Sequence, residues 1–197
     1  MIKLSTCLGF IVSVLGLIVF TRWIPQETVT SFGLPVSMKP ATALSFLSLG
    51  LVIVILSQWN TIKSHIVASV LSFFPAALMC LYLGDALGGY QLGTKHIFPW
   101  PTSEISNIPS IGTMLLFILL GFAGYAASMP KYPKWKVSLP SYLAILTGIV
   151  AIVGYLIDTP ILYWAVPDKS AAMSIQTSLA FILCGMGFLS STNVQTD

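Results

Sequence analysis

Six long apolar segments constrain the fold of this chain more than any other feature of its sequence. A helix needs about 20 apolar residues to cross the hydrocarbon core of a bilayer. Six segments approach or reach that length: 4–24, 40–58, 66–86, 110–128, 141–158 and 171–191. Hydrophobic residues make up 56% of the chain and charged residues 8%, a composition that a water-soluble fold of 197 residues could not bury. Because backbone amides find no water in lipid, these segments should be helices. The sequence therefore predicts an all-α integral membrane protein with six transmembrane helices.

The basic residues predict how the chain is oriented in the membrane. Cytoplasmic loops of membrane proteins are enriched in Lys and Arg, and the loop 129–140 holds three lysines. Placing this loop inside puts both termini in the cytoplasm, with Lys3, Lys63, Lys131, Lys134 and Lys136 inside and Arg22, Lys39, Lys95 and Lys169 outside. The basic residues are otherwise scattered, which argues against nucleic-acid binding. The expected partners are the lipid bilayer and other membrane proteins or a second copy of the chain.

A pattern of Thr, Phe and Gly recurs in the second, fourth and sixth segments. The three residues stand at i, i+4 and i+8, which places each set along one face of its helix. The sets are Thr42-Phe46-Gly50, Thr113-Phe117-Gly121 and Thr177-Phe181-Gly185. This pattern predicts a single membrane domain, 1–197, built as three pseudo-repeated helical hairpins at about 4–58, 66–128 and 141–191. Parallel repeats of this kind are related by an axis along the membrane normal.

Two interpretations of the repeated stripe are open. In lipid no hydrophobic force drives helices together, and small residues allow them to pack closely instead. The stripe could therefore serve packing alone. Alternatively, the stripes line a cavity, which makes Thr42, Thr113 and Thr177 candidate ligand-binding residues.

Charged residues occupy matching places near the outer ends of the odd-numbered segments. Tyr82-Leu-Gly-Asp85 parallels Tyr155-Leu-Ile-Asp158, and Arg22 stands at the corresponding place of the first hairpin. One interpretation is three solvated helix ends. The other is a cluster in which Arg22 pairs with Asp85 and Asp158 in a partly desolvated place, so these three are also candidate ligand-binding residues.

Nothing in the sequence resembles an enzyme active site. It contains no nucleophile arrangement, glycine-rich phosphate loop or zinc-protease motif, so we predict no catalytic residue. The two histidines, His65 and His96, fall in loops on opposite sides of the membrane, so we predict no metal site. No cofactor is indicated by any motif.

Three short segments resemble a known family. They are Met38-Lys-Pro-Ala-Thr42-Ala-Leu-Ser-Phe46 with Leu49-Gly50, then 81–92, and finally 154–163 with 173–187. These segments resemble the MASE-like multi-pass N-terminal membrane sensor regions of bacterial histidine kinases and diguanylate cyclases, over roughly residues 4–190. The ligand of that family is generally unknown, so the resemblance assigns no binding residue.

The resemblance implies a non-enzymatic sensory or interaction module of a bacterial inner membrane. Members of that family continue into a cytoplasmic output module, whereas this sequence ends at Asp197, soon after the sixth segment. The expectation is therefore that the module acts through a partner or through an output domain missing from this sequence. The alternatives are an accessory structural subunit of a larger membrane complex and a small transporter.

Overall fold

The computed structural model describes residues 3–23, 38–88, 97, 108–129, 131–163 and 172–194. These residues form six α-helices and one short 3₁₀ helix, and no strand occurs among them. The helices are α1 (Leu4–Trp23), α2 (Pro40–Gln58), α3 (Ile62–Gly88), α4 (Ile111–Ala127), α5 (Trp135–Leu156) and α6 (Ile175–Val194), with the 3₁₀ helix at Pro160–Tyr163. The predicted all-helical fold is confirmed for this part of the chain.

Four of these helices, α1, α2, α3 and α5, are long and apolar enough to cross a membrane. α4 has 17 residues, and the apolar stretch of α6, Ile175–Ser191, also falls short of 18. Large apolar side chains are exposed along α1, α3 and α5, for example Phe10, Val70 and Leu146. The exposed apolar side chains and the helix lengths fit a membrane protein, whose lipid tails replace water as the solvent.

α5 begins six residues earlier than the sequence predicted, at Trp135 instead of 141. The prediction assigned 129–140, a stretch with three lysines and several prolines, to a loop. In the structure Pro140 and Val137 are both buried, and the Ser141 hydroxyl donates to the Val137 carbonyl at 2.7 Å. The burial of Val137 and Pro140 outweighs the one hydrogen bond that Pro140 removes.

Consecutive helices pack as antiparallel pairs through glycines. A Cβ on Gly50 of α2 would lie 2.6 Å from the Gly9 carbonyl oxygen of α1, and one on Gly16 would lie 2.5 Å from the Ala43 carbonyl oxygen. Gly121 of α4 lies similarly close to Ser72 and Ala76 of α3, and Gly185 of α6 to Ser141 and Ile145 of α5. The pairs α1–α2, α3–α4 and α5–α6 therefore approach backbone to backbone, as small residues permit.

α2, α4 and α6 run parallel to one another in the centre of the protein. The rings of Phe46 in α2 and Phe181 in α6 are in contact. About two turns further along both helices, Ile53 of α2 contacts Gly187 of α6. In the same way Phe117 contacts Phe181, and Gly124 contacts Phe188. All three helices therefore begin at one end of the bundle, called here the threonine end, and finish at the other, called the lysine end.

The outer helices complete a ring around this centre. α3 packs against α2 as well as α4, α5 packs against α4 as well as α6, and α1 packs against α6 as well as α2. Each outer helix thus touches the central helix of its own pair and that of one neighbouring pair.

A proline inside α3 leaves a carbonyl that α2 satisfies. Pro75 has no N–H to give to the Leu71 carbonyl one turn earlier. The Ser48 hydroxyl of α2 donates to that same oxygen at 2.7 Å. In lipid no water could take this role, so Ser48 links α2 to α3 at the point where α3 lacks its own hydrogen bond.

We expect Ser48→Ala to lower the free energy of unfolding by about 0.6–1.7 kcal/mol, the range of interhelical hydrogen bonds in membranes. In a Pro75→Ala background the new amide of residue 75 takes the Leu71 carbonyl, so the cost of Ser48→Ala should fall to less than half. Denaturant unfolding in bicelles measures both. Ser45→Ala is the control, since the Ser45 hydroxyl donates within α2 to Ala41. An equal cost of Ser48→Ala in both backgrounds would contradict the link.

Candidate functional site

The candidate site lies at the threonine end, over three phenylalanine rings in mutual contact. The ring centroids of Phe46, Phe117 and Phe181 are 4.7, 4.8 and 4.9 Å apart. All three side chains are 0% exposed. Edge-to-face and tilted contacts at this spacing are favourable. The phenylalanines that the sequence pattern singled out are therefore brought together, one from each central helix.

The three threonines of the pattern lie one helical turn nearer the threonine end. Thr42, Thr113 and Thr177 are buried, at 2, 2 and 3% exposure. Because residues i and i+4 share a helix face, each threonine lies on the stripe whose phenylalanine faces the bundle centre. These threonine hydroxyls lie together at one end of an interior that also holds buried serines along the helices, for example Ser57 and Ser72.

Two of these threonines belong to matching N-caps. The Ser110 hydroxyl accepts a hydrogen bond from the Thr113 amide at 3.2 Å and lies 2.7 Å from its hydroxyl. The Ser174 hydroxyl accepts from the Thr177 amide at 3.1 Å and lies 2.8 Å from its hydroxyl. A serine in this position satisfies one of the free amides of the first turn. Ser110 and Ser174 thus cap α4 and α6, and the hydroxyls of Thr113 and Thr177 are each hydrogen-bonded to the capping serine.

The first turn of α2 differs, because Lys39 stands where α4 and α6 have serine. Lys39 is the N-cap residue and makes no side-chain cap hydrogen bond. Burial lowers the pKa of Lys39, since the charged form loses hydration. The threonine end therefore combines a half-buried ammonium group, the buried hydroxyls of three threonines and two serines, and the N-termini of three parallel helices.

Sequence reasoning overlooked Ser110, Ser174 and Lys39. A signal was present, because serine precedes the repeated threonine by three residues in two of the three copies, and lysine does so in the other. Serine three residues before threonine at the start of an apolar run is typical of a helix N-terminus.

Arg22, Asp85 and Asp158 lie near the C-terminal ends of α1, α3 and α5, and so at the threonine end as well. Arg22 and Asp158 are exposed, and Asp85 is half-buried. Arg22 and Asp85 lie in the last turns of α1 and α3, whereas Asp158 follows the end of α5. The pairing of Arg22 with the two carboxylates stays a prediction.

Asp158 has a structural role at the end of α5. It follows the C-cap residue Ile157 and adopts a positive φ of 51°. The Thr159 amide donates back to the Gly154 carbonyl at 2.9 Å, the six-to-one bond of a Schellman motif. Aspartate tolerates this left-handed conformation better than most residues, which accounts for Asp158 without a ligand.

Two tyrosines at the threonine end join the end of α5 and the 3₁₀ helix to the residue that precedes the cap of α6. The Tyr155 hydroxyl donates to the Met173 carbonyl at 2.7 Å, and the Met173 amide donates to the Tyr163 carbonyl at 2.8 Å. The two tyrosine rings stack with centroids 4.2 Å apart. Met173, which precedes the Ser174 cap, is thereby held in the buried position from which α6 begins.

In the part of the chain that the structure describes, no three His, Cys, Asp or Glu side chains are grouped so that they could hold a metal ion. The one described histidine ring lies at the lysine end. His65 Nδ1 is 2.8 Å from the Ser128 carbonyl oxygen and Nε2 is 3.0 Å from Asn60 Oδ1. The contact with Ser128 joins the start of α3 to the end of α4.

No protein-family model, curated protein or solved structure matches this chain.

Proposed function

We propose that the chain is a non-enzymatic sensory module of a bacterial inner membrane, which binds a small anionic ligand at the threonine end and acts through a partner protein. The observation that carries the proposal is the group of buried threonine hydroxyls at the starts of α2, α4 and α6, directly over the Phe46, Phe117 and Phe181 rings. The resemblance of residues 4–190 to sensor regions gives the class of protein.

The membrane arrangement that goes with this function has six spans in three pseudo-repeated hairpins. The helix contacts support this arrangement, because each outer helix packs against the central helix of its own pair and that of one neighbouring pair. The 17 residues of α4 are at the lower limit of about 17–25 for a span. In this arrangement the lysine end and both termini face the cytoplasm.

Several contributions favour an anion at the threonine end. Each helix N-terminus carries a partial charge of roughly +0.5, so α2, α4 and α6 direct three such charges to the centre of the threonine end. The opposite charges of the α1, α3 and α5 C-termini and of Asp85 and Asp158 lie on the outer ring. The Lys39 ammonium, when protonated, adds a positive charge in a half-buried place. Hydroxyls and the amides that Lys39 leaves uncapped in α2 can donate hydrogen bonds to phosphate or carboxylate oxygens.

The central helices also provide a path from the site to the other end. α2, α4 and α6 contact one another and extend from the threonine end to the lysine end. A ligand that draws their N-termini together would alter the packing of the phenylalanine rings and hence the lysine end. A partner protein that binds the lysine end would then have a different affinity for the chain with and without the ligand.

Thermal unfolding of the purified chain in nanodiscs tests the ligand class. Inorganic phosphate, acetate and succinate are titrated against chloride at equal ionic strength. An anion that binds the folded state should raise stability by about 2.7 kcal/mol at roughly 100 times its dissociation constant. We expect Lys39→Gln to abolish most of this shift and Lys63→Gln, an exposed lysine at the other end, to leave it unchanged.

The absence of any shift relative to chloride would overturn the anionic ligand, as would equal behaviour of the two lysine variants. A stoichiometric membrane partner that co-purifies whether or not an anion is present would instead favour an accessory structural subunit. Anion flux into proteoliposomes would favour a transporter.

A further inference from the structure

A groove at the lysine end separates the end of α4 from the start of α5. Its volume is about 410 Å³. Its wall toward the middle of the helices is apolar and includes Leu119, Phe122 and Leu139, and its rim holds Lys131 and Lys136. The groove thus has an apolar part along the helices and a basic part at their ends.

A second, smaller groove of about 210 Å³ lies on the other side of α4, toward α3. It is lined by Phe73, Ala76 and Gly121, and it shares Phe122 and Tyr125 with the first groove. The side chains of Phe122 and Tyr125 are exposed and stand three residues apart, so they form a ridge on α4 between two apolar channels.

The charge at this end is positive. Lys131, Lys134 and Lys136 are all exposed. The acidic residues that the structure describes, Asp85 and Asp158, lie at the threonine end. α5 has 22 residues, a length of about 33 Å, so Asp158 is too distant to neutralise the lysines.

Aromatic side chains place the rim at a membrane surface. Trp135 is 61% exposed and stands between the lysines, and Tyr132 and Tyr125 also line the groove. Burial raises the pKa of Tyr132, which keeps its hydroxyl neutral. Trp and Tyr are enriched where hydrocarbon meets the headgroup region, so we expect the basic rim at the depth of lipid phosphates.

We infer that the groove binds one anionic phospholipid, with its phosphate between Lys131 and Lys136 and its two acyl chains on either side of the Phe122–Tyr125 ridge. Charge complementarity selects the occupant, since a zwitterionic lipid offers the same chains with no net charge. Basic pockets between helices near a membrane surface are known to suit such headgroups. The site is separate from the threonine end and does not depend on the function proposed for it.

Retention of lipid by the purified chain tests the inference. The protein is equilibrated in equal parts of phosphatidylglycerol and phosphatidylcholine, and bound lipid is counted by native mass spectrometry. The wild type should retain phosphatidylglycerol preferentially. Lys131→Gln with Lys136→Gln should weaken retention roughly 30-fold, from about 1 kcal/mol for each lysine near the headgroups, whereas Lys63→Gln at the same end should not.

A second pair of variants tests the groove itself. Leu139→Trp fills it from an exposed position, and Leu146→Trp introduces the same side chain on α5 outside it, at similar exposure of 53 and 57%. Only Leu139→Trp should reduce retention. If the lysine variants reduce lipid retention but Leu139→Trp does not, the lysines attract lipid to the surface in general. This result would overturn the inference that a lipid binds in the groove. If glycerol phosphate displaces the lipid, the occupant is a soluble anion and the inference is overturned. A protein partner that protects the groove while lipid does not bind would also overturn it.

Discussion

Phe117→Ala is expected to lower the free energy of unfolding by about 3 kcal/mol. Phe117 is 0% exposed and its ring contacts Phe46 and Phe181 at 4.7 and 4.9 Å. In a membrane the unfolded helices still lie in lipid, so the transfer of the ring contributes little. One part of the cost is the cavity, roughly 100 Å³ at about 24 cal/mol per Å³. The other part is the loss of two aromatic contacts of about 0.5–1.5 kcal/mol each, some of which the cavity cost already includes.

Phe122→Ala is the matched control for this change. Phe122 lies on the same helix but is 58% exposed, so alanine leaves a gap that lipid fills. Its cost should stay below about 0.5 kcal/mol, as for exposed substitutions generally. Denaturant unfolding of both variants in bicelles of zwitterionic lipid, without the anionic lipid that the lysine-end groove would bind, gives the comparison. Equal costs would show that the phenylalanine cluster does not hold the three central helices together.

Gly50→Val should destabilise the protein by about 1–3 kcal/mol or more, the cost of overpacking a tight contact. A Cβ at this position would lie 2.6 Å from both the Gly9 carbonyl oxygen and the Ser13 amide nitrogen. Both atoms belong to the backbone of α1 and cannot rotate away, so α1 and α2 must separate. The separation should also weaken the Ser13 hydroxyl bond to the Leu47 carbonyl, already long at 3.4 Å.

Leu51→Val controls for the new residue type, because Leu51 is the next residue on α2 and is 39% exposed. It should change the unfolding free energy by less than about 0.5 kcal/mol. A cysteine pair on the facing sides of α1 and α2 provides a structural readout of the same variants. If its disulfide forms as readily in the Gly50→Val variant as in the wild type, the helices have not moved and the argument from close packing is wrong.

The sequence predicted the local structure of this protein well. Each of the six predicted segments overlaps a helix, and α2 was predicted to the residue, at 40–58. Apolar runs of this length are helical in lipid whatever surrounds them, because their backbone must bond to itself. The Thr-Phe-Gly spacing also sufficed to place Phe46, Phe117 and Phe181 on single helix faces.

The candidate site was predicted in part. Thr42, Thr113 and Thr177 were identified as a set, but not that Ser110 and Ser174 cap two of them while Lys39 stands beside the third. The start of α5 was misplaced because Pro140 was taken as the end of a loop, although its burial in the bundle outweighs its missing hydrogen bond. The proposed cluster of Arg22, Asp85 and Asp158 depends on side-chain placement, which helix position alone does not fix.

What the sequence determined by itself is therefore which residues form helices and which residues share a helix face. Only the tertiary structure decided which apolar faces meet protein and which meet lipid. Phe117 and Phe122 are the same residue type on one helix, yet one is fully buried and the other lines a groove on the surface. In water a polar face would have distinguished them. In a bilayer both environments are equally apolar, so the choice rests on shape, on the close approach at Gly50 and on single hydrogen bonds such as that of Ser48.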